Sequence, residues 1–363
     1  PLDEPETEAD SMKQAVMSHR YYEIILQKIQ TTEGDGNPVV TGLAEDISKD
    51  LKEHSNLDCS PELVIQHIKE DESFDDGEDR KISINEAEVM AEEWPAFIDS
   101  ETSNRAYQNF TANPVSITKL KQTYGLENLI DKLVLVPRLR EVRVLRGFHR
   151  IQPGDDEKLV HASLTPYPKW MPGIEVFGEG IFISFSEKAI VSWEKEYKNA
   201  IGKRIDAMNN RHKESVLSFL PEPTPRFVML HTLAHLLILQ LSFECGYAAA
   251  SLRERIYSAE PGSESGPMAG FLIYTADSDS EGSLGGLVRQ GSPDRLIPTL
   301  LTALERGSWC SSDPICRELA GQGLQGLNRA ACHCCSLIAE TSCTGFNTLL
   351  DRMILLGSDK EDG

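Results

Sequence analysis

Six of the eight cysteines fall between Cys310 and Cys343, and no other feature of the sequence restricts the fold as strongly. The chain is large and its first residues carry no basic, apolar leader. So dense a set of thiols therefore reads as metal binding in a reducing, cytoplasmic setting rather than as a disulfide framework. Cys332 and Cys335 make a C-x-x-C pair, a spacing that turns two thiolates toward one ion in tetrahedral zinc sites. Cys343 is expected to supply a third sulfur. Cys310 and Cys316 bracket a turn at Pro314, and either can be the fourth ligand. Cys316 is preferred because its shorter chain back to Cys332 closes a smaller loop. Cys334 should point away from an ion held by its neighbours, with His333 and Cys334 as substitute ligands. Four sulfurs with no open position describe one structural zinc, which contributes folding energy and no chemistry. A redox dithiol would need the C-x-x-C at a helix start after a strand, and the sequence offers no such strand. Cys59 and Cys245 stand alone and read as buried thiols.

The net charge of -21 argues against nucleic acid only until it is mapped. Residues 1–100 hold 26 acids against 8 bases, a net of -18, which leaves -3 for the rest of the chain. Residues 119–150 hold eight bases against three acids, among them Arg138, Arg140, Arg143, Arg146 and Arg150. Such a run is either a salt-bridged surface or a patch that faces phosphate. Alternation places Arg138, Arg140 and Arg146 on one strand face and Arg143 on the other. Tyr21, Tyr22, Trp170 and Trp193 offer stacking faces for single strands, although aromatic residues more often fill cores.

Periodicity gives the class as α+β, with a helical N-terminal region, a small antiparallel β region and a mainly helical zinc-binding domain. The expected divisions are 1–115, 116–220 and 221–363. Helices are expected over 12–30, 43–54, from Ser60 before Pro61, and around the WPAF stretch. The β-branched alternation of LVLVPRLREVRVLRGF predicts strands, and GIEVFGEGIFISF predicts a hairpin closed at Gly178-Glu179-Gly180. A helix capped by Ser186 is expected over 187–212. RFVMLHTLAHLLILQLSFECG is apolar nearly all round, which predicts a central buried helix ended by Gly246. YAAASLRERIYS reads as a further helix, GFLIYTAD as a strand, and 296–306 and 347–356 as late helices. The chain opens on Pro1 rather than methionine, which reads as the start of a fragment.

His231 and His235 stand one helical turn apart and can share a metal, with Glu254 as a third ligand from a second helix. This is the motif of a metal-dependent hydrolase with one part missing. Zinc peptidases of that pattern carry a glutamate directly after the first histidine as general base, and here that residue is Thr232. Histidines buried and hydrogen-bonded to Glu254 or Asp277 are the simpler reading. The DSDSEGSLGG loop fits neither phosphate-binding glycine pattern, its acids Asp277, Asp279 and Glu281 repel phosphate, and it is expected to be a packing loop entering a helix near Leu287. Ser283 lacks the strand–elbow–helix setting of a nucleophile.

Several blocks carry a family likeness. HTLAHLLILQLSFECGYAAASLRERIY, GFLIYTADSDSEGSLGGL, CSSDPIC and NRAACHCCSLIAETSCTGFNTLLDR resemble the MrfA zinc-binding domain family in order and spacing. RLREVRVLRGFHRI and KWMPGIEVFGEGIFISFSEKAIVSWE look like the separate zinc-domain subunits of DISARM anti-phage systems. The similar blocks span roughly 133–356, and nothing in the N-terminal third matches. The resemblance implies a non-enzymatic subunit that binds a DrmA-like superfamily 2 helicase as a heterodimer and supports its sequence-independent binding of DNA. It carries over Cys332, Cys335 and Cys343 as ligands, with Cys316 or Cys310 as the fourth. Cys334 departs from the small apolar residue usual there.

Overall fold

In the computed structural model the described residues are 38–54, 57–72, 86–99, 109–118, 126, 128–145, 147–149, 159–161, 172–275 and 286–357, with scattered positions between 12 and 29. They divide into two compact units, Pro1–Ser83 and Ile84–Gly363.

The first unit is built on helices α1 (Pro38–His54) and α2 (Pro61–Glu72). Val40, Ala44, Ile47 and Leu51 recur at helical spacing along α1 and share a core with Val64, Ile68, Tyr22 and Ile25. The Oγ of Ser60 accepts the Leu63 N–H at 3.3 Å, so this residue caps α2 as its sequence position predicts. Cys59 is buried in the same core.

The second unit is organised by one antiparallel sheet in the order β1-β2-β5-β7-β6. Its strands are β1 (Phe110–Pro114), β2 (Ile130–Val144), β5 (Gly173–Phe185), β6 (Leu252–Ala259) and β7 (Met268–Thr275), and β3 (Gly147–His149) pairs separately with β4 (Leu159–His161). Helix α3 (Glu86–Ile98) covers one face, where Phe97 stacks on Phe182 with ring centroids 4.4 Å apart. The other face packs on α6 (Pro225–Cys245), through Ile181, Ile183, Ile256, Phe271 and Ile273. Side chains thus alternate between two cores, as a sheet covered on both sides requires. The architecture is α+β.

Two expectations about strands are corrected. The Gly178-Glu179-Gly180 segment makes no turn: β5 runs straight through it, with Gly180 paired to Val136 and Tyr274. The glycine serves close approach instead, since a Cβ there would lie 2.9 Å from Leu272 Cδ1 and 3.2 Å from the Ile273 carbonyl. The irregularity sits opposite, between Val136 and Leu139, where Pro137 has no N–H to give the ladder. The Leu252–Ala259 segment, expected as a helix, is strand β6 after a short 3₁₀ turn over Ala249–Ser251. Leu252, Glu254 and Ile256 all point inward with period two. Because β6 and β7 extend the sheet begun by β1, β2 and β5, the division expected at 220 runs through one sheet.

The helix expected over 187–212 is two, α4 (Glu187–Glu196) and α5 (Lys198–Glu214), separated at Tyr197. α6 starts with Thr224 accepting the Phe227 N–H at 3.2 Å and ends at Gly246, whose φ of 73° is the left-handed cap conformation. Its length and apolarity would suit a membrane span, but most of it is buried against the sheet and the neighbouring helices. Arg226 in its first turn is wholly buried and grips Glu187 and Glu194 of α4, the shortest contact to each being 2.9 Å. After α7 (Gly286–Gln290) and α8 (Pro293–Gly307) come two short helices, α9 (Ile315–Glu318) and α10 (Arg352–Leu356). The closing helix is shorter than expected because Phe346, Asn347 and Leu349 have φ of 54°, 55° and 60°. Asn347 there brackets Ile338, accepting its N–H and donating to its carbonyl, which substitutes for helical bonds.

Candidate metal centres

The first centre is assembled from two turns. Cys310 follows the end of α8, and Cys316 lies in α9 one tight turn later. Cys332 and Cys335 sit on a second turn in which the Cys332 carbonyl accepts N–H groups from Cys335 and Ser336 at 3.1 and 3.0 Å. The sulfur of Cys310 is 3.6 Å from that of Cys332, Cys316 is 3.9 Å from Cys335, and Cys332 is 3.8 Å from Cys335. Four sulfurs about 2.3 Å from one zinc stand about 3.8 Å apart along a tetrahedral edge. The tetrad has the dimensions of a zinc cage.

The surroundings suit thiolates. The Ser312 N–H points to Cys310 Sγ at 3.4 Å, the Cys332 N–H to Cys335 Sγ at 3.3 Å, and the Ser336 hydroxyl to Cys335 Sγ at 3.4 Å. Arg352, fully buried, holds a guanidinium nitrogen 3.7 Å from Cys316 Sγ. Burial, against the pull of the Ser336 hydroxyl, the Cys332 N–H and Arg352, pushes the Cys335 thiol up to about 11, a shift that coordination to a dication reverses. Cys334 and His333 are exposed, and Cys334 Sγ takes the Ser312 hydroxyl at 3.6 Å.

The second centre brings together His231 and His235 of α6, Glu254 of β6 and Cys343, with one ligand atom from each lying within 4.8 Å of the others. His231 Nε2 is 2.9 Å from Glu254 Oε1 and 3.3 Å from Cys343 Sγ. His235 Nε2 is 3.4 Å from the same oxygen, within hydrogen-bonding reach, and 3.3 Å from Oε2, which takes no hydrogen bond. Burial raises the Cys343 thiol, and the Glu254 carboxylate beside it raises it further. Burial acts on Glu254 in the same direction, but the two imidazoles outweigh it and hold the carboxyl below its ordinary range.

The grouping drawn from spacing is corrected here. Cys316, Cys332 and Cys335 do converge, but Cys310 joins them and Cys343 does not. Loop length does not discriminate between the two cysteines, because closing the longer loop from Cys310 costs only about 0.3 kcal/mol more. Cys343 is instead drawn to α6 by the short 3₁₀ turn over Glu340–Ser342. Thr232 has a structural role, its hydroxyl donating to the Val228 carbonyl at 2.7 Å and accepting the Asp351 N–H at 3.0 Å. No general base therefore stands beside the histidine pair at that position, and a fourth donor occupies the place a hydrolytic water would need.

Along β2 the arginines are engaged locally. Arg138 is exposed with its guanidinium 5.0 Å from the Phe177 ring centre, Arg140 pairs with Glu175 at 2.6 Å, and Arg143 pairs with Glu141. Arg146, Arg150, Trp170, Asp277, Asp279, Glu281 and Ser283 lie outside the described residues. Tyr22 is buried in the first unit's core and Trp193 packs at the margin of the second's. The anion that α7 accepts at its start is the protein's own, since Glu179 takes the Leu287 and Val288 N–H groups at 2.9 and 3.1 Å. Sequence reading had passed over Glu179 as a turn residue.

A tetrad of cysteines with zinc dimensions, able to hold one metal ion, defines the class as a zinc-binding domain. Residues 233–336 match the MrfA Zn-binding domain family. It is also similar to the DISARM protein DrmB of Bacillus paralicheniformis, with 36% identity over 298 residues, 75% of this chain and 52% of that protein. The chain thus spans about half the length of the curated relative it matches.

Proposed function

We propose that this chain is the zinc-bearing accessory subunit of a DISARM-type anti-phage assembly. It forms a cytoplasmic heterodimer with a DrmA-like superfamily 2 helicase and supports that partner's sequence-independent binding of DNA, with no catalysis of its own. One observation carries this reading: the Cys310, Cys316, Cys332 and Cys335 tetrad lies in the part of the chain that matches the zinc domain, on a chain similar to a DISARM protein. A cage of four thiolates offers no position to substrate, so its zinc maintains a surface rather than a reaction. Arg138, Arg140, Arg143, Arg146 and Arg150 are assigned to phosphate contacts. The acids beside Arg140 and Arg143 give way to phosphate when DNA arrives, which makes binding steeply salt-dependent.

The test is DNA retention by the helicase alone and by the pair, over a range of salt. The pair should bind more tightly, and Arg140→Ala with Arg146→Ala should lower the salt slope by about one per contact removed. Equal binding with and without this chain would overturn the accessory role. An unchanged slope in the double variant would remove the arginines from the interface.

A further inference from the structure

We propose that His231, His235, Glu254 and Cys343 form a second tetrahedral metal site, separate from the cysteine tetrad, that binds a zinc-class dication and closes the core of the larger unit. All four residues are at most 6% exposed, so the cluster has no water to balance its charge. Its donors are two imidazole nitrogens, a carboxylate oxygen and a thiolate, a set that suits zinc far better than magnesium or calcium. Tetrahedral zinc with such donors spaces them about 3.3–3.6 Å apart. Glu254 Oε1 lies 2.9 Å from His231 Nε2 and 3.4 Å from His235 Nε2, and His231 Nε2 lies 3.3 Å from Cys343 Sγ, at or somewhat below the spacings of such a cage.

Proton placement points the same way. His235 Nδ1 is 2.8 Å from the Ser336 carbonyl, which can only accept, so the ring proton sits on Nδ1. Nε2 then faces the Glu254 carboxylate, and that contact is attractive only with a cation between them, a proton or a metal ion. This Nδ1–H to carbonyl bond is the usual outer support of a metal-bound histidine. Glu254 Oε2 has no hydrogen-bond partner among the described residues, although the carboxylate is wholly buried and aimed into the cluster. Cys343 Sγ takes the Asn347 N–H at 3.3 Å, as a ligating thiolate does.

Charge separates the two centres. A dication with one carboxylate, one thiolate and two neutral imidazoles sums to zero, and a neutral assembly is what a dry interior tolerates. The tetrad with zinc carries two net negative charges and has Arg352 beside it. Because Cys343 occupies the fourth position, the second site is closed and structural. It ties α6 to β6 and to the segment that follows the first cage.

The test is elemental analysis and zinc X-ray absorption on the zinc-replete full chain. Two zinc ions per chain are expected, sharing five sulfurs and three nitrogen or oxygen donors. Cys343→Ser should lower the content to one ion with an all-sulfur shell, and Cys316→Ser should leave an ion of mixed shell. One ion per wild-type chain with sulfur ligands only would overturn the site while leaving the tetrad intact. So would a Cys343→Ser protein that keeps two ions and the same shell. If either variant does not fold, the wild-type spectrum decides the matter, and the helicase reading is judged separately on DNA retention.

Discussion

Arg352 shows how a full charge is kept inside this fold. Its guanidinium donates to the Ala330 and Gly307 carbonyls at 2.6 and 2.7 Å, reaches Asp313 at 3.2 Å, and leaves one nitrogen against Cys316 Sγ. Carbonyls, carboxylate and thiolate together satisfy a planar fork of donors that lysine could not match. Each bond also locates a turn that carries a zinc-ligand cysteine. Arg352→Gln should therefore loosen the tetrad without touching a ligand, weakening zinc retention by ~10–100-fold in competition with a chelator. Cys334→Ser is the control, because an exposed thiol outside the tetrad should leave zinc affinity unchanged.

At the scale of elements, the sheet depends on residues small enough to let strands and helices meet. Gly270 on β7 pairs with Ser184, and a Cβ there would lie 2.6 Å from the Ile183 carbonyl and 3.1 Å from the Trp94 ring. The nearest obstruction is backbone in the middle of a ladder, so it cannot swing aside. Gly270→Ala should destabilise the unit by about 1–3 kcal/mol, read as a lower denaturant midpoint at unchanged slope. What was legible in the sequence divides along the same line. α6 could be read because its apolarity and its Gly246 stop are local signals that agree. β6 could not, because the alanines before it and the charged Arg253, Glu254 and Arg255 favour a helix locally, and the strand is imposed by pairing with β7. The glycines of β5 looked like a turn because glycine marks both a bend and a close approach, and only the neighbouring strand tells them apart. The cysteines were legible as a set, and their division into partners was not. That division depends on which turn reaches α6, a distance along no stretch of sequence.

For the whole molecule, the two units have separate cores, and among the described residues no zinc-ligand candidate or sheet strand comes from Pro1–Ser83. A chain beginning at Ile84 should retain its full zinc content and unfold in one cooperative transition. Loss of metal, or a broad transition, would mean that the acidic region takes part in the larger unit's stability. Within that unit the stabilising contacts are long in sequence. Arg204 of α5 forms a bidentate pair with Asp351, at 2.5 and 2.8 Å across 147 positions, and both ends of it are buried. Splitting such a pair leaves an uncompensated charge indoors, so Arg204→Ala should cost about 3–5 kcal/mol.

That reach has a consequence for how the protein is made. Leu349, Leu350, Asp351 and Arg352 are fully enclosed, and the centre of α6 that they cover is finished more than a hundred residues earlier. During synthesis the apolar helix leaves the ribosome long before its lid does. At about 5–20 residues per second it waits several seconds or more with its faces uncovered. Until then the unit is an unfinished core, and chaperones have that interval in which to hold it.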